Sequence, residues 1–362
     1  MFVKSLELKN YRNYEKLHMD FDSGTNILYG DNAQGKTNIL EAIYVCATSK
    51  SHRGSKDREI IHFDREESHI KLFVDKKGVE TRIDMHLKKN KTKGIAIGGL
   101  PIRKASELFG NINVVFFSPE DLNIIKNGPS ERRRFLDLEL CQLDRVYTAN
   151  LVAYNKVLNQ RNRLLKDLSF RPEYEDTLSV WDEQLVRYGQ ELMKIREHFI
   201  GEMNDIIRKS HERLTGGKED IVISYEPDTE KEHFEEVLFL SGEKDRKNRV
   251  TTRGPHRDDI LFLVNGIDIR KFGSQGQQRS AALSLKLSEI AMIKNKVKDS
   301  PVLLLDDVLS ELDSGRQDHL LESIEDIQTI ITCTGLEDFV NRHFSANQVF
   351  QVIDGKVRNE NE

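Results

Sequence analysis

One short segment has the residue types and the spacing of a phosphate-binding loop. It consists of Gly30, Asp31, Asn32, Ala33, Gln34, Gly35, Lys36 and Thr37. The two glycines allow the backbone to curl so that its N–H groups converge on phosphate oxygens. Lys36 then neutralises the β- and γ-phosphates, and the Thr37 hydroxyl binds Mg²⁺. The segment therefore predicts that ATP and Mg²⁺ are bound here.

The neighbouring residues supply the elements that such a loop requires. Asn26 to Tyr29 form a short apolar run that predicts a strand, and Thr37 to Tyr44 have helical spacing. A helix that starts near Lys36 adds its positive dipole end to the site. The loop thus lies between a buried strand and an amphipathic helix.

A second candidate site follows the apolar run from Pro301 to Leu305, which ends in Asp306 and Asp307. Asp306 is the predicted metal ligand, with Thr37, and Asp307 is predicted to orient or deprotonate the attacking water. Lys36 and Asp307 are accordingly the predicted catalytic residues. The alternative is a helix N-cap, because aspartate favours that position.

A third segment opens a predicted helix about 30 residues before Asp306. Ser274 and Gly276 place a hydroxyl and backbone N–H groups at that helix start, which would form a second phosphate-binding surface. The alternative for this segment is a polar turn with a capping serine.

The elements around these motifs predict an α/β fold. Alternating runs over residues 70–87 predict a hairpin, and apolar strands are predicted at 113–117, 302–305 and 329–333. Between residues 143 and 206, apolar residues recur at steps of three and four with a break at Ser169–Pro172, which predicts an αα-hairpin. We expect one nucleotide-binding lobe (lobe I, residues 1–125 and 250–362) interrupted by a mainly helical lobe (lobe II, 126–249).

Composition excludes several classes of protein. The 362 residues contain no apolar run long enough to span a membrane and three widely spaced cysteines, so we expect a soluble cytoplasmic protein. The net charge of −5 provides no general attraction for nucleic acid. DNA binding would require local basic clusters, of which Arg132, Arg133 and Arg134, Lys88–Lys93, and the expected exposed loop Lys244–Arg249 are candidates. The alternative for each cluster is a solvated surface.

The motifs together resemble the ABC-type ATPases of the SMC and RecF kind. Ser274-Gln275-Gly276-Gln277-Gln278 stands at the position of the signature motif, and Ser310-Glu311-Leu312-Asp313 stands at that of the D-loop. Leu8 to Tyr14 and Arg253 to Asp259 extend the resemblance to the RecF family of bacterial recombination mediators, from the first residues to about Leu336.

This resemblance implies an ABC-type P-loop ATPase head with a mixed sheet, helices and an inserted helical lobe. It implies an ATP-dependent homodimer in which Ser274, Gly276, Gln277 and Asp313 of one chain help to bind the nucleotide of the other. It also implies DNA as a partner, as duplex and single-strand/duplex junctions, together with a RecR-type mediator protein and slow hydrolysis that releases the dimer. Arg53 stands where SMC heads carry an arginine that links DNA to hydrolysis.

Some positions depart from the pattern of ABC ATPases. Asp307 replaces the more common glutamate, which indicates a slow enzyme. The segment after Phe117 lacks the Q-loop glutamine, and residues 331–334 lack the switch histidine. Glu120, Thr332 and Thr334 are the candidates for sensing the γ-phosphate in their place. His256, a lone histidine beside a Gly-Pro turn, is expected to be structural.

Three other functions are less consistent with the sequence. A transporter subunit would need the Q-loop glutamine and the switch histidine. A long structural tether would need longer helices than those predicted between residues 143 and 206, and a fused nuclease would need an additional acidic metal-binding domain. The prediction is thus an ATP-dependent DNA-binding protein of repair that helps to load recombinase at single-stranded gaps.

Overall fold

The computed structural model describes residues 1–324, 326–335 and 346–360, so that Leu336 lies outside the described residues. The chain divides into two compact units. Unit 1 comprises Met1–Asp121 and Lys286–Glu362, and unit 2 comprises Leu122–Leu285. Unit 2 is longer than the predicted lobe II of 126–249, because residues 250–285 carry a strand that pairs with an earlier strand of the same unit.

The helices and strands follow in chain order. The first part of unit 1 contains β1 Phe2–Tyr11, β2 Tyr14–Asp20, β3 Thr25–Tyr29, α1 Lys36–Thr48, β4 Glu67–Lys76, β5 Val79–Lys88, β6 Lys91–Ile97, β7 Leu100–Pro101 and β8 Val114–Phe117. Unit 2 contains α2 Leu122–Lys126, α3 Pro129–Leu143, α4 Arg145–Asp167, α5 Leu178–Thr215, β9 Ile221–Glu226, α6 Phe234–Leu240, α7 Gly242–Asn248, β10 Asp259–Val264, β11 Ile267–Asp268 and α8 Ile269–Phe272. The unit boundary falls within α9 Gln275–Val297, after which come β12 Val302–Asp306, α10 Ser314–Ser323, β13 Thr329–Cys333, β14 Gln348–Ile353 and β15 Lys356–Asn359.

Unit 1 contains two six-stranded sheets. The first sheet is antiparallel with the strand order β2-β1-β4-β5-β6-β7. Its strands alternate buried and exposed residues, as expected for a sheet with one face on the core and one in solvent. The predicted hairpin at 70–87 is confirmed as β4 and β5.

The second sheet has the order β15-β14-β3-β13-β12-β8, in which every neighbouring pair except β15–β14 is parallel. The predicted strands at 302–305 and 329–333 are confirmed as β12 and β13. Helix α1 is almost entirely buried and contacts strands of both sheets, so the core is continuous around it. The carboxyl ends of β3, β13 and β12 lie side by side, which places the residues that follow them at one edge.

Unit 2 contains the predicted αα-hairpin, formed by α4 and α5. The longer helix, α5, has 38 residues and buries Leu185, Leu192, Phe199 and Met203 along one stripe. These residues belong to the stripe that the sequence spacing predicted. Beside the hairpin, β9 and β10 pair antiparallel, and β11 extends their sheet to three strands.

The segment Lys244–Arg249 was expected to be an exposed loop. Its residues other than Asp245 are exposed, but the loop prediction was wrong. Residues Gly242–Asn248 form α7, because Asp245 is completely buried and holds the segment in place. Its carboxylate accepts a hydrogen bond from Arg161 of α4 at 2.6 Å and from the Thr252 hydroxyl at 2.6 Å. The other charged residues of this helix are exposed, so the sequence pattern does not indicate that Asp245 is buried.

Candidate nucleotide-binding site

The two glycines of the loop after β3 have positive φ angles and close neighbours. Gly30 has a φ angle of 149°, and a Cβ there would lie 2.3 Å from the Val352 carbonyl oxygen. Gly35 has a φ angle of 112°, and its Cβ would lie 2.5 Å from the Asn13 side chain. Any other residue at these two positions would be strained and would clash. The loop is thus tightly packed against Asn13 and Val352.

Lys36 lies within this loop. Its side chain is 4% exposed, and its Nζ donates to the Gly30 carbonyl at 2.5 Å and to the Asp31 carbonyl at 2.9 Å. Helix α1 begins at Lys36, so its free N–H groups and positive dipole end lie at the same place. A buried ammonium beside a helix N-terminus is suited to bind an anion.

Thr37 and Asp306 meet at the shared edge of the second sheet. The Thr37 hydroxyl donates to Asp306 Oδ1 at 2.8 Å, and the Thr332 hydroxyl donates to the same oxygen at 2.9 Å. This meeting follows from the topology, because β13 pairs with both β3 and β12 in parallel register. The residues of the two predicted motifs are therefore in direct contact.

Asp306 carries an incompletely compensated charge. Burial raises the pKa of its carboxyl group above the usual value, and the hydrogen bonds from Thr37 and Thr332 oppose this shift only in part. The adjacent Asp307 raises the pKa further, and Arg53 lowers it. A divalent cation would favour the charged form of this carboxylate, and hydroxyl and carboxylate oxygens are ligands that Mg²⁺ prefers.

Asp307 has a left-handed backbone with a φ angle of 53°. Its N–H donates to the Thr332 hydroxyl oxygen at 3.0 Å, so Thr332 contacts both aspartates. The left-handed conformation is tolerated by aspartate and re-aims the side chain at the end of β12. Thr332 was a candidate in the sequence because it stands near the missing switch histidine, and the structure places it beside Asp306 and Asp307.

Arg53 is exposed and lies at the same edge of unit 1. Its Nη1 donates to Asn38 Oδ1 of helix α1 at 3.4 Å, and its charge acts on Asp306. The segment that carries it is anchored by Ser51, which accepts from the Arg53 N–H at 3.2 Å. A positive charge thus borders the loop on the side of α1.

Sequence reasoning missed the residues that hold the loop from behind. Arg12 and Tyr11 donate to Glu41, a completely buried residue of α1. Asn13 donates to the Gln34 carbonyl at 2.9 Å, and the Tyr14 hydroxyl donates to the Gly35 carbonyl at 3.1 Å. The sequence contained one indication of these contacts. Arg12 and Asn13 are polar residues between two tyrosines, Tyr11 and Tyr14, at the predicted turn between strands.

Unit 2 contains the predicted signature residues at the start of α9. Ser274 and Gln277 form a reciprocal cap, in which the Ser274 N–H donates to Gln277 Oε1 at 3.0 Å and the Gln277 N–H donates to Ser274 Oγ at 3.2 Å. The predicted capping interaction is present, and Ser274 and Gly276 remain exposed at the helix start.

Asp313 of unit 1 also caps a helix. It is exposed, and its carboxylate accepts from the Arg316 N–H at the start of α10 at 3.0 Å. This hydrogen bond and the neighbouring Arg316 charge lower the pKa of Asp313 below its usual value. Asp313, at the predicted D-loop position, is thus a surface residue whose charged carboxylate form is favoured.

The arginine cluster of α3 is not a single basic surface. Arg132 is 1% exposed and binds both carboxylate oxygens of Asp259, at 2.5 and 2.9 Å. Its prediction as a DNA contact was wrong, because the guanidinium is already used inside unit 2. Arg133 is partly buried and donates to the Asp258 carbonyl at 2.6 Å, whereas Arg134 is exposed.

His256 belongs to a buried polar network of unit 2. Its Nε2 donates to the Thr251 carbonyl at 3.1 Å, so its Nδ1 accepts from the Tyr154 hydroxyl at 2.7 Å. Burial lowers the pKa of His256 to about 4. Nearby, the buried Arg196 donates to Asp258 Oδ2 and to Asp137 Oδ1, each at 2.8 Å. The network fixes the segment Arg253–Asp259 rather than offering a reactive group.

Comparison with known proteins identifies the family. The family model described as the RecF/RecN/SMC N terminal domain matches residues 2–357. A protein of Lachnospira eligens named DNA replication and repair protein RecF is 64% identical over the whole of both chains. The chain belongs to the RecF family. A RecF protein of Agathobacter rectalis is 60% identical over 99% of both chains.

Solved structures agree with this assignment. One described as the recombination mediator protein RecF-ATP in the RecFOR pathway has a TM-score of 0.93 and 36% identity, over 99% of this chain and 97% of the other. The Smc head domain of Pyrococcus furiosus has a TM-score of 0.55 at 16% identity, which shows a shared fold. The predicted fold class, an ABC-type ATPase head, is confirmed. Among the described helices, none has the length and apolarity needed to cross a membrane.

Proposed function

We propose that this RecF-family chain is an ATP-dependent DNA-binding protein of recombinational repair and replication-fork maintenance. The observation that carries the proposal is the 2.8 Å contact between Thr37 and Asp306 beside the loop around Lys36. This contact joins a phosphate-binding loop to a carboxylate at a sheet edge, as ATP with Mg²⁺ requires. The proposed setting is the cytoplasm.

The loop residues are proposed to bind the nucleotide, and two side chains the metal. Backbone N–H groups between Gly30 and Gly35 face the phosphates, and Lys36 neutralises their charge. Thr37 and Asp306 hold Mg²⁺, which when bound would offset negative charge on the phosphates. The residues fit this ligand pair, since the Thr37 hydroxyl and the buried Asp306 carboxylate lie 2.8 Å apart and both offer oxygen ligands.

Asp307 is proposed to orient the attacking water and to accept its proton. Its position at the end of β12, held through Thr332, places it beside the metal ligand. Aspartate has a shorter side chain than the glutamate found in many ABC ATPases, which favours weak ATPase activity. DNA would accelerate this activity, and slow hydrolysis would then time the release of the nucleotide rather than power a movement.

A second copy of the chain is proposed to complete the site. The exposed start of α9 offers Ser274, Gly276 and Gln277 to the γ-phosphate of a nucleotide held by the partner copy. Asp313 is proposed to lie at the same interface. ATP would then join two chains head to head, and hydrolysis would separate them.

The dimer is proposed to bind duplex DNA and single-strand/duplex junctions, and to help load recombinase at gaps with a RecR-type mediator protein. Arg53, Arg133 and Arg134 remain candidate DNA contacts, of which Arg53 and Arg134 are exposed. The relatives named DNA replication and repair protein RecF support this assignment.

Size measurement with and without ATP tests the proposal. We expect the wild-type chain to form dimers with ATP and not with ADP, and Asp307→Asn to retain them longer. Lys36→Arg and Ser274→Arg should both remain monomeric, whereas the exposed control Ser179→Arg should behave as wild type. An equimolar mixture of Lys36→Arg and Ser274→Arg should recover some dimer, because one complete site forms.

Two results would contradict the proposal. The first is an elution volume of wild type and Asp307→Asn that ATP does not change. The second is a dimer that forms equally well with Ser274→Arg, which would exclude the start of α9 from the interface.

A further inference from the structure

Two histidines and a glutamate form a cluster on the solvent face of the first sheet. Glu67 and His69 lie two residues apart on β4, so their side chains project from the same face. His86 of β5 is the direct cross-strand partner of His69. The cluster is part of unit 1, and none of the proposed nucleotide-binding residues belongs to it.

Both imidazoles turn the same ring nitrogen toward one carboxylate. His86 Nε2 lies 3.0 Å from Glu67 Oε2, and His69 Nε2 lies 3.8 Å from Glu67 Oε1. The rings are stacked with their centroids 4.0 Å apart and their planes 19° apart. One ligand atom from each residue can be chosen so that all three lie within 4.8 Å of one another.

These distances are close to those around a tetrahedral metal ion. Ligand atoms at 2.0–2.1 Å from Zn²⁺ are roughly 3.4 Å from each other. The measured separations of 3.0 and 3.8 Å to the carboxylate bracket this value. All three side chains are between 35% and 49% exposed, so a small rotation of each could bring them to bonding distance.

The surroundings leave room for an ion. Gly94 of β6 is the cross-strand partner of His86 on its other side, and no side chain extends from it over the ring. Both imidazoles are partly exposed, at 38% for His69 and 35% for His86, so an ion can reach them from solvent. Neutral imidazole is the form that binds metals.

Two lysines oppose metal binding and limit its strength. Lys88 lies 3.5 Å from Glu67 Oε2, and Lys9 of β1 is the register partner of His69. Both place positive charge near the cluster. The plain alternative is an ion-paired group of surface side chains in which Lys88 takes the place of the metal.

We propose that Glu67, His69 and His86 form a Zn²⁺ site that links β4 to β5. Two imidazoles, one carboxylate and an open fourth position are the ligand set of exposed zinc sites, and borderline metals such as Zn²⁺ prefer this mixture. The bound ion would join two strands of the first sheet and present a free coordination position to solvent. This site is independent of the proposed nucleotide chemistry.

Calorimetric titration of the full chain with ZnCl₂ tests the proposal, in nucleotide-free buffer after removal of metals with a chelator. Every protein carries Cys333→Ser, because that thiol is partly exposed and could bind zinc by itself. We expect one Zn²⁺ per chain, with binding at least about tenfold weaker in His69→Gln and in His86→Gln. His18→Gln is the matched control, since His18 lies on the same sheet with its side chain 55% exposed and outside the cluster.

Two further measurements separate a built site from surface binding. Lys88→Gln should bind zinc more tightly than wild type, because it removes a competing charge from Glu67. Titration with Co²⁺ should give visible absorption bands of a four-coordinate site in wild type and lose them in His69→Gln. All variants should unfold at the wild-type temperature in the presence of the chelator.

The proposal is overturned if wild type takes up no zinc. It is also overturned if His69→Gln and His86→Gln bind zinc as wild type does, which would show adventitious surface binding only. If Glu67→Gln binds zinc as tightly as wild type, the carboxylate is not a ligand and the proposed three-residue site is overturned.

Discussion

Arg12 and Glu41 form a two-point ion pair behind the phosphate-binding loop. Arg12 Nε lies 2.7 Å from Glu41 Oε2, and Arg12 Nη2 lies 2.6 Å from Glu41 Oε1. Glu41 is completely buried and also accepts from the Ser51 hydroxyl at 2.5 Å. The pair therefore ties the turn between β1 and β2 to helix α1 and to the segment that carries Arg53.

Replacement of Glu41 by glutamine should destabilise the protein. It leaves the largely buried Arg12 guanidinium without its counter-charge, and we expect the free energy of unfolding to fall by about 3 kcal/mol. Chemical denaturation measures this change. Glu15→Gln removes an exposed charge from β2 and should change the free energy by less than about 0.5 kcal/mol.

The same pair gives the stability a dependence on pH. Burial alone would raise the pKa of Glu41, but hydrogen bonds from Arg12 and Ser51 outweigh it and lower the pKa below its ordinary value of 4.5. The stabilisation that the Arg12–Glu41 pair gives to the folded state is therefore fully present above pH 4.5. It is lost as the pH falls through the lower pKa that Glu41 has in the folded protein. The unfolding curves of wild type and Glu41→Gln should approach each other in acid. A constant difference at every pH would contradict the assignment.

Thr332→Val should slow ATP hydrolysis with little loss of ATP binding. The hydroxyl donates to Asp306 and accepts from the Asp307 N–H, so its removal lets the proposed catalytic carboxylate move. We expect a decrease in kcat of about ten- to a hundredfold. Phosphate release and nucleotide titration measure the two effects separately.

Thr329→Val is the control for that experiment. Thr329 lies on the same strand, and its hydroxyl bonds to the Ile327 carbonyl at 3.1 Å, away from the aspartates. Equal loss of hydrolysis in both variants would show a general effect on β13 and would remove Thr332 from the site.

His256 should make unit 2 less stable in mild acid. Burial lowers its pKa from 6.5 to about 4, so the folded state keeps it neutral while the unfolded state takes up a proton. Stability is therefore full above pH 6.5 and decreases as the pH falls toward 4, by about 3 kcal/mol at most.

The variant His256→Gln should have a flatter profile of unfolding free energy against pH in this range. His18→Gln removes an exposed histidine and should keep the wild-type slope. If both profiles have the wild-type slope, the titration of another group causes the acid sensitivity.

Substitution of Arg132 should change the stability of the protein, whereas substitution of Arg134 should change only DNA binding. Arg132→Gln breaks a buried pair with Asp259 and should lower the free energy of unfolding by about 3 kcal/mol. Arg134→Gln should leave stability unchanged, and if Arg134 contacts DNA it should weaken binding and reduce its salt dependence by about one unit. A folded Arg132→Gln protein with a reduced salt slope would contradict the structural role.

Local motifs made the core of the site predictable from sequence. Gly30 to Thr37 is a continuous segment whose function depends on its own backbone, and the strand before Asp306 is apolar enough to be recognised alone. Because the strands before them are parallel, Thr37 and Asp306 lie at the same edge of the second sheet, and no additional long-range contact has to be predicted. The partner of Glu41 was not predictable in this way, because Arg12 comes from a different turn of the chain.

The errors have similar physical causes. Three consecutive arginines in α3 look like one basic patch, but successive helical residues point about 100° apart, so Arg132 faces inward while Arg134 faces outward. In α7, one buried aspartate decides the conformation of a segment that is otherwise charged. In both cases the deciding contact comes from a distant residue that the local pattern does not contain.

The cap formed by Ser274 and Gln277 has a consequence for which ions the start of α9 can accept. A hydroxyl has one proton and two lone pairs, and Ser274 Oγ already uses a lone pair to accept the Gln277 N–H. Its proton therefore remains available for donation to another group. In the dimer proposed above, this hydroxyl and the positive dipole end of α9 would favour an anion over a cation, so that the ligand would be selected by the sign of its charge as well as by its shape.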